Sequence, residues 1–326
     1  MTNAIEEKKR DPVIDLLRAI GLLLVMSAHV RSDALYFNFR QFDVTLLMFV
    51  SGMSFACSSV PVSYGAYVRK RIVRLLVPVF CFLILYLPIH IFVFQFPLSA
   101  SEIVKSFLLL AGGIEFVWIY RVMFTTSLLN PFLRKVTERL NPWTCYGLLT
   151  VILLVNDGLY KGVFERLPGP MDKVMIYLFT FTVGYAGISG FGMLFTRLNH
   201  KQKWIFAAVS AVLLTAFGLY YRFAELQPFK HPPMLYYISY GLMWSAVLYG
   251  IFLPIRKKLS SWKMIQWLSL NSMTIYLFHI FWFYLLQYLQ MEERVSSVLI
   301  YLIIVLCSAG STFIYLLIKK KVRGAA

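Results

Sequence analysis

His29 and Arg18 are eleven residues apart, about 16 Å along a helix at 1.5 Å per residue. On a helical wheel they fall within roughly 20° of each other, with Asp15 on the same face. A second histidine, His279, closes the run Asn271-Ser272-Met273-Thr274-Ile275-Tyr276-Leu277-Phe278-His279, in which Ser272, Tyr276 and His279 share one face. Each histidine lies about 22 Å from the start of its helix by the same rise, so the two imidazoles are expected in one layer. A neutral imidazole can take the proton of a hydroxyl as general base, because its pKa lies near operating pH.

Arginines supply the second kind of chemistry. Arg71 and Arg74 sit in Arg69-Lys70-Arg71-Ile72-Val73-Arg74, and Arg18 and Arg121 lie within apolar stretches. Guanidinium forks hold phosphates bidentately and keep their charge when partly desolvated, so such a set suits a phosphorylated ligand. Plainer readings stand beside these. Asp15 and Arg18 can form a local i,i+3 pair, Arg71 and Arg74 can snorkel to water, and His279 can belong to a hydrogen-bonded ladder. There is no HExxH and no Cys/His spacing, so no metal is expected. Glu115 and Arg121, six residues apart, cannot pair well with each other, and their roles stay open, while Trp118 between them can line the same cavity.

The elements that must position these residues are membrane helices. Of 326 residues, 59% are hydrophobic and 14% charged, with a mean hydropathy of +0.69, whereas a soluble domain carries about 25% charged residues. The predicted fold is all-α: a polytopic membrane protein of about ten spans, residues 14–30, 44–58, 72–96, 103–129, 143–160, 174–195, 204–221, 234–255, 264–286 and 295–318. The loops between them are short, so a single transmembrane domain over 1–326 is expected, with no separate soluble domain and no cleaved signal.

The net charge of +17 follows from topology. Twenty-one Lys and Arg, among them Lys8, Lys9, Arg10, Arg71 and Arg74, fall on one side, and nine on the other. The positive-inside rule then puts both termini in the cytoplasm, and the basic loops touch anionic lipid with no need of nucleic acid. Cys57, Cys81, Cys145 and Cys307 form no redox or metal motif. No internal repeat is visible, which weakens the rival reading of a transporter or flippase for an anionic lipid or metabolite.

The chain resembles the membrane-bound acyltransferase family 3, the OafA/WecH-type O-acyltransferases. The likeness rests on Arg10-Asp11-Pro12-Val13-Ile14-Asp15-Leu16-Leu17-Arg18-Ala19-Ile20 continuing to Val25 and His29. It extends to Phe49-Val50-Ser51-Gly52, Arg71-x-x-Arg74, Trp118 and Tyr276-Leu277-Phe278-His279. Met53 replaces an aromatic residue usual in the family, and the segment around Trp118 fits only loosely. The resemblance implies transfer of an acyl group, commonly acetyl from cytoplasmic acetyl-CoA, to a hydroxyl of a cell-surface glycan or its lipid-linked precursor. It also implies residence in a bacterial cytoplasmic membrane. On this reading His29 is the general base and Arg18, Arg71 and Arg74 hold the acyl-CoA phosphates. Ser51, Trp118, Tyr276 and His279 then serve substrate binding or the oxyanion.

Overall fold

The computed structural model describes residues 11–58, 63–169 and 171–324. Lys8, Lys9, Arg10 and Pro170 lie outside the described residues, as does the start of the loop before Tyr64. The chain is 82% helix, and no strand occurs among the described residues. Its helices are α1 (Pro12–Ser27), α2 (Ala34–Phe39), α3 (Asp43–Ala56), α4 (Tyr64–Val93), α5 (Ala100–Phe107), α6 (Trp118–Arg139) and α7 (Pro142–Gly162). They continue as α8 (Met171–Phe195), α9 (His200–Tyr220), α10 (Leu235–Phe252), α11 (Arg256–Leu259), α12 (Lys263–Tyr288) and α13 (Ser297–Gly324).

Seven of them, α4, α7, α8, α9, α10, α12 and α13, are long and apolar enough to cross a membrane. The expectation of about ten such spans is met only in part. Helices α1 and α3 have 16 and 14 residues, short of the ~20 that a 30 Å hydrocarbon core requires. The fourth expected span, 103–129, is a correction: it is two helices with a folded break between them. Gly112 at φ +80° and Leu109 at φ +54° turn the chain out of α5, a conformation that is easy for glycine and uncommon otherwise.

Hydrogen bonds hold the backbone of that break. Leu110 N–H donates to the Lys105 carbonyl, the Ser106 hydroxyl accepts from Ile114 N–H at 2.8 Å, and Arg121 Nε donates to the Leu109 carbonyl at 3.1 Å. Arg121 is therefore buried with a structural duty. Helix α5 begins with a capping box, in which the Ser99 hydroxyl accepts from Glu102 N–H while Ser99 N–H donates to the Glu102 carboxylate at 2.7 Å.

Prolines account for the irregularities of α4 and α6. Pro78 and Pro88 cannot donate to the carbonyls one turn back, and α4 widens by one residue beside each of them, with Val77 N–H bonded to Ile72 O and Phe94 N–H to Ile89 O. In α6, Pro131 leaves the Ser127 carbonyl without its helical donor, and the Tyr67 hydroxyl donates to it instead at 2.9 Å.

The helices divide into two compact units. Unit 1 takes the chain up to Arg18, Gln41–Val68 and Thr125–Lys263. In it α3 packs on α8 and α10, α7 on α8, and α9 on α10. Gly52 and Gly192 let α3 and α8 touch backbone to backbone: a Cβ at Gly52 would collide with the Ser189 carbonyl, and one at Gly192 with the Phe49 carbonyl. A buried ion pair, Lys230 Nζ to Asp43 Oδ1 at 2.8 Å, stands at the start of α3. Unit 2 takes Ala19–Arg40, Arg69–Phe124 and Met264 onward. There the Tyr301 hydroxyl of α13 donates to the Leu23 carbonyl of α1, and Trp282 Nε1 of α12 donates to Ser311 Oγ of α13 at 3.0 Å.

Candidate active site

His29 lies two residues beyond the end of α1, in a turn where its N–H bonds the Met26 carbonyl. It is half-buried, and the helical wheel that treats it as part of a straight helix stops being valid at Ser27. Its ring nevertheless meets that of His279, with centroids 5.2 Å apart and planes 27° from parallel. The two imidazoles thus share a layer within unit 2.

Helix α12 holds His279 rigidly. The residue is fully buried, and its Nδ1 meets the Tyr276 carbonyl one turn earlier. A carbonyl only accepts, so Nδ1 carries the proton and Nε2 keeps its lone pair. Nε2 is buried and has no hydrogen-bond partner among the described residues.

Phe116 completes the group. Its ring centroid is 3.9 Å from that of His29 and 5.8 Å from that of His279. The tight turn of Glu115–Val117 that leads into α6 carries it, and the Tyr276 hydroxyl donates to its carbonyl at 2.9 Å. One turn further on, the Tyr120 hydroxyl donates to the Met273 carbonyl at 2.5 Å. Two tyrosines, one from each side, therefore lock the start of α6 onto α12. Phe283 and Tyr284 extend the ring cluster, and His90 of α4 packs edge-on against Tyr284 at 4.7 Å with its Nδ1 3.1 Å from the Tyr86 hydroxyl.

The remaining candidates distribute as follows. Trp118 is the first residue of α6 and half-buried. Ser272 is buried on α12, a turn before Tyr276. Arg71 is half-buried and Arg74 exposed near the start of α4, and Arg74 is 16 residues before His90, about 24 Å along the helix. All of these belong to unit 2. Arg18 and Ser51 belong to unit 1, where the Arg18 guanidinium donates to Ser54 Oγ and Ser51 is half-buried on α3.

Phe116 and His90 were invisible to pattern reading. Phe116 was hidden because the break before it is marked only by Gly112-Gly113, and His90 because nothing adjacent to it in sequence is ionisable. No group of three His, Cys, Asp or Glu suited to a metal occurs among the described residues.

Chemically, the cluster is an aromatic surround for one partly accessible imidazole. An imidazole can accept a proton from a neutral donor such as a hydroxyl.

Compared with known proteins, residues 11–317 match a family model described as an acyltransferase domain. No curated protein and no solved structure matches the chain.

Proposed function

Because the chain belongs to the family of OafA-type membrane acyltransferases, we propose that it moves an acyl group, most simply acetyl, from acyl-CoA to a hydroxyl of a cell-surface glycan or its lipid-linked precursor. Membership makes it an acyl-transferring enzyme of the membrane.

The observation that carries it is the setting of His29. In the proposed reaction the acceptor hydroxyl attacks the thioester carbonyl carbon while His29 takes its proton. The new C–O bond forms, the C–S bond breaks, and the proton ends on the departing sulfur as free coenzyme A. Positioned proton transfer of this kind contributes about 10²–10⁴-fold to a rate.

Arg71 and Arg74 support the donor side. Their guanidinium forks match phosphate oxygens, and they stand near the start of α4, the helix that also carries His90. Arg18 is assigned the same role. The excess of basic residues on their side of the spans favours a cytoplasmic donor site in a cytoplasmic membrane. Ser51, Trp118, Tyr276 and His279 are the candidates for contacts to substrate or the oxyanion.

The test is acetyl-CoA binding to the purified protein in nanodiscs, wild type against Arg71→Ala and Arg74→Ala. The variants are expected to lose affinity for coenzyme A by tenfold or more and for a dephosphorylated pantetheine analogue by little. Equal losses for both ligands would refute the phosphate role, and no binding by the wild type would refute the donor.

A further inference from the structure

We propose that α5 is a surface helix that seats Val104 and Phe107 in membrane lipid, at the membrane boundary where α4 ends. The proposal rests on the membrane residence of the family and is independent of the acyl donor, the acceptor and the role of His29.

Helix α5 has two sides. At about 100° per residue, Ala100, Ile103, Val104, Phe107 and Leu108, the residue that follows the helix, fall in one arc of about 140°. Ser101, Glu102, Lys105 and Ser106 occupy the other. An amphipathic helix on a protein surface in water turns its apolar side inward. Here the reverse holds: Ser106 is fully buried, while Val104, Phe107 and Leu108 are 56%, 37% and 58% exposed.

The polar side is the one that packs. Ser106 Oγ accepts from Ile114 N–H at 2.8 Å, a Cβ at Gly113 would collide with Ser106, and the Lys105 side chain reaches over Gly112. A helix that buries its polar side and leaves its apolar side outward suits a medium less polar than water, and for this chain that medium is lipid. Through Ser106 and Ile114 the same helix is joined to the segment that leads to Phe116.

Position and length decide how the lipid is met. Helix α4 is long and apolar enough to cross the membrane, and its last turn leaves Phe92 77% and Val93 54% exposed. The lipid-facing surface of α4 therefore runs to within seven residues of Ala100. The eight residues of α5 cover about 12 Å, far short of a ~30 Å hydrocarbon core. Glu102 and Lys105 hold the helix at the boundary, because charged side chains are costly within hydrocarbon. Ser101, exposed on the polar side, marks the direction of water.

The experiment attaches a nitroxide to Val104→Cys, Phe107→Cys or Ser101→Cys in the full chain in nanodiscs, with the four native cysteines replaced by alanine. Collisions with oxygen, which partitions into lipid, are read against collisions with a nickel chelate, which stays in water. The oxygen-to-nickel ratio is expected to be several-fold higher at 104 and 107 than at 101. An equal ratio at all three positions overturns the proposal: equally low, the face stands in water; equally high, the helix is sunk in hydrocarbon. Loss of both kinds of collision at 104 and 107 also overturns it, because protein, such as a second copy of the chain, would then cover the face. If thermal unfolding shows that a cysteine variant does not fold, the unmodified chain gives the reading by NMR. Contacts from lipid chain protons to the methyl groups of Val104 and Leu108 are expected there, and their absence overturns the proposal. None of these readings uses acyl transfer, so failure here and failure of the proposed reaction are distinguishable.

Discussion

The Tyr276 hydroxyl donates to the Phe116 carbonyl at 2.9 Å, across 160 residues of sequence. Tyr276, which the resemblance places among the substrate or oxyanion residues, clamps the backbone that carries Phe116. Tyr276→Phe removes one buried hydrogen bond, a loss of about 0.5–1.5 kcal/mol. Thermal unfolding is expected to show that loss, with acyl transfer reduced several-fold. A drop of 10²-fold or more in turnover at unchanged stability would instead mark the hydroxyl as an oxyanion donor.

Gly52 belongs to the run Phe49-Val50-Ser51-Gly52, and its reason is steric. Alanine there would strike the Ser189 carbonyl, a backbone atom that cannot swing aside. Gly52→Ala is expected to cost about 1–3 kcal/mol or more by overpacking, read as a lowered unfolding temperature, whereas Gly147→Ala, with open space around it, is expected to change little.

Lys230 and Asp43 form an ion pair that is almost wholly buried. Removing one partner strands the other's charge, at about 3–5 kcal/mol, while replacing both with apolar groups is often neutral. Lys230→Met and Asp43→Leu are each expected to lower stability sharply and the double variant to recover most of it. Additive losses in the double variant would show that the pair does not act as a unit.

Glu102 caps α5 from an exposed position, and hydrogen bonds from the Ser99 hydroxyl and N–H hold its carboxyl below the usual 4.5. A depressed carboxylate contributes stability that is complete above its unfolded pKa and is lost as pH falls through the folded value. Helix α5 is thus expected to fray on acidification below about 4.5, read as faster amide exchange in 100–107 relative to Glu102→Gln, in which the pH step is absent. An identical pH response in the two proteins would remove the carboxylate from the explanation.

Much of this site was legible from depth counting. Equal distances of His29 and His279 from their helix starts put the imidazoles in one layer, and composition alone identified a membrane protein. Three things were not legible, each for a physical reason. A helical wheel assumes continuity, so it could not register that α1 ends at Ser27. Apolar content does not record where a helix breaks, and the segment before Phe116 is as apolar as a span, which is why 103–129 reads as one helix. The partner of the Tyr276 hydroxyl is a backbone carbonyl, which leaves no mark in any side-chain pattern.

The central claim is acyl transfer with His29 as base, and the direct measurement is transfer of label from acyl-labelled acetyl-CoA to a membrane glycan fraction, wild type against His29→Ala. Both proteins are expected to bind the donor, and only the wild type to produce labelled glycan with release of free coenzyme A. Labelled glycan formed by His29→Ala at the wild-type rate would contradict it.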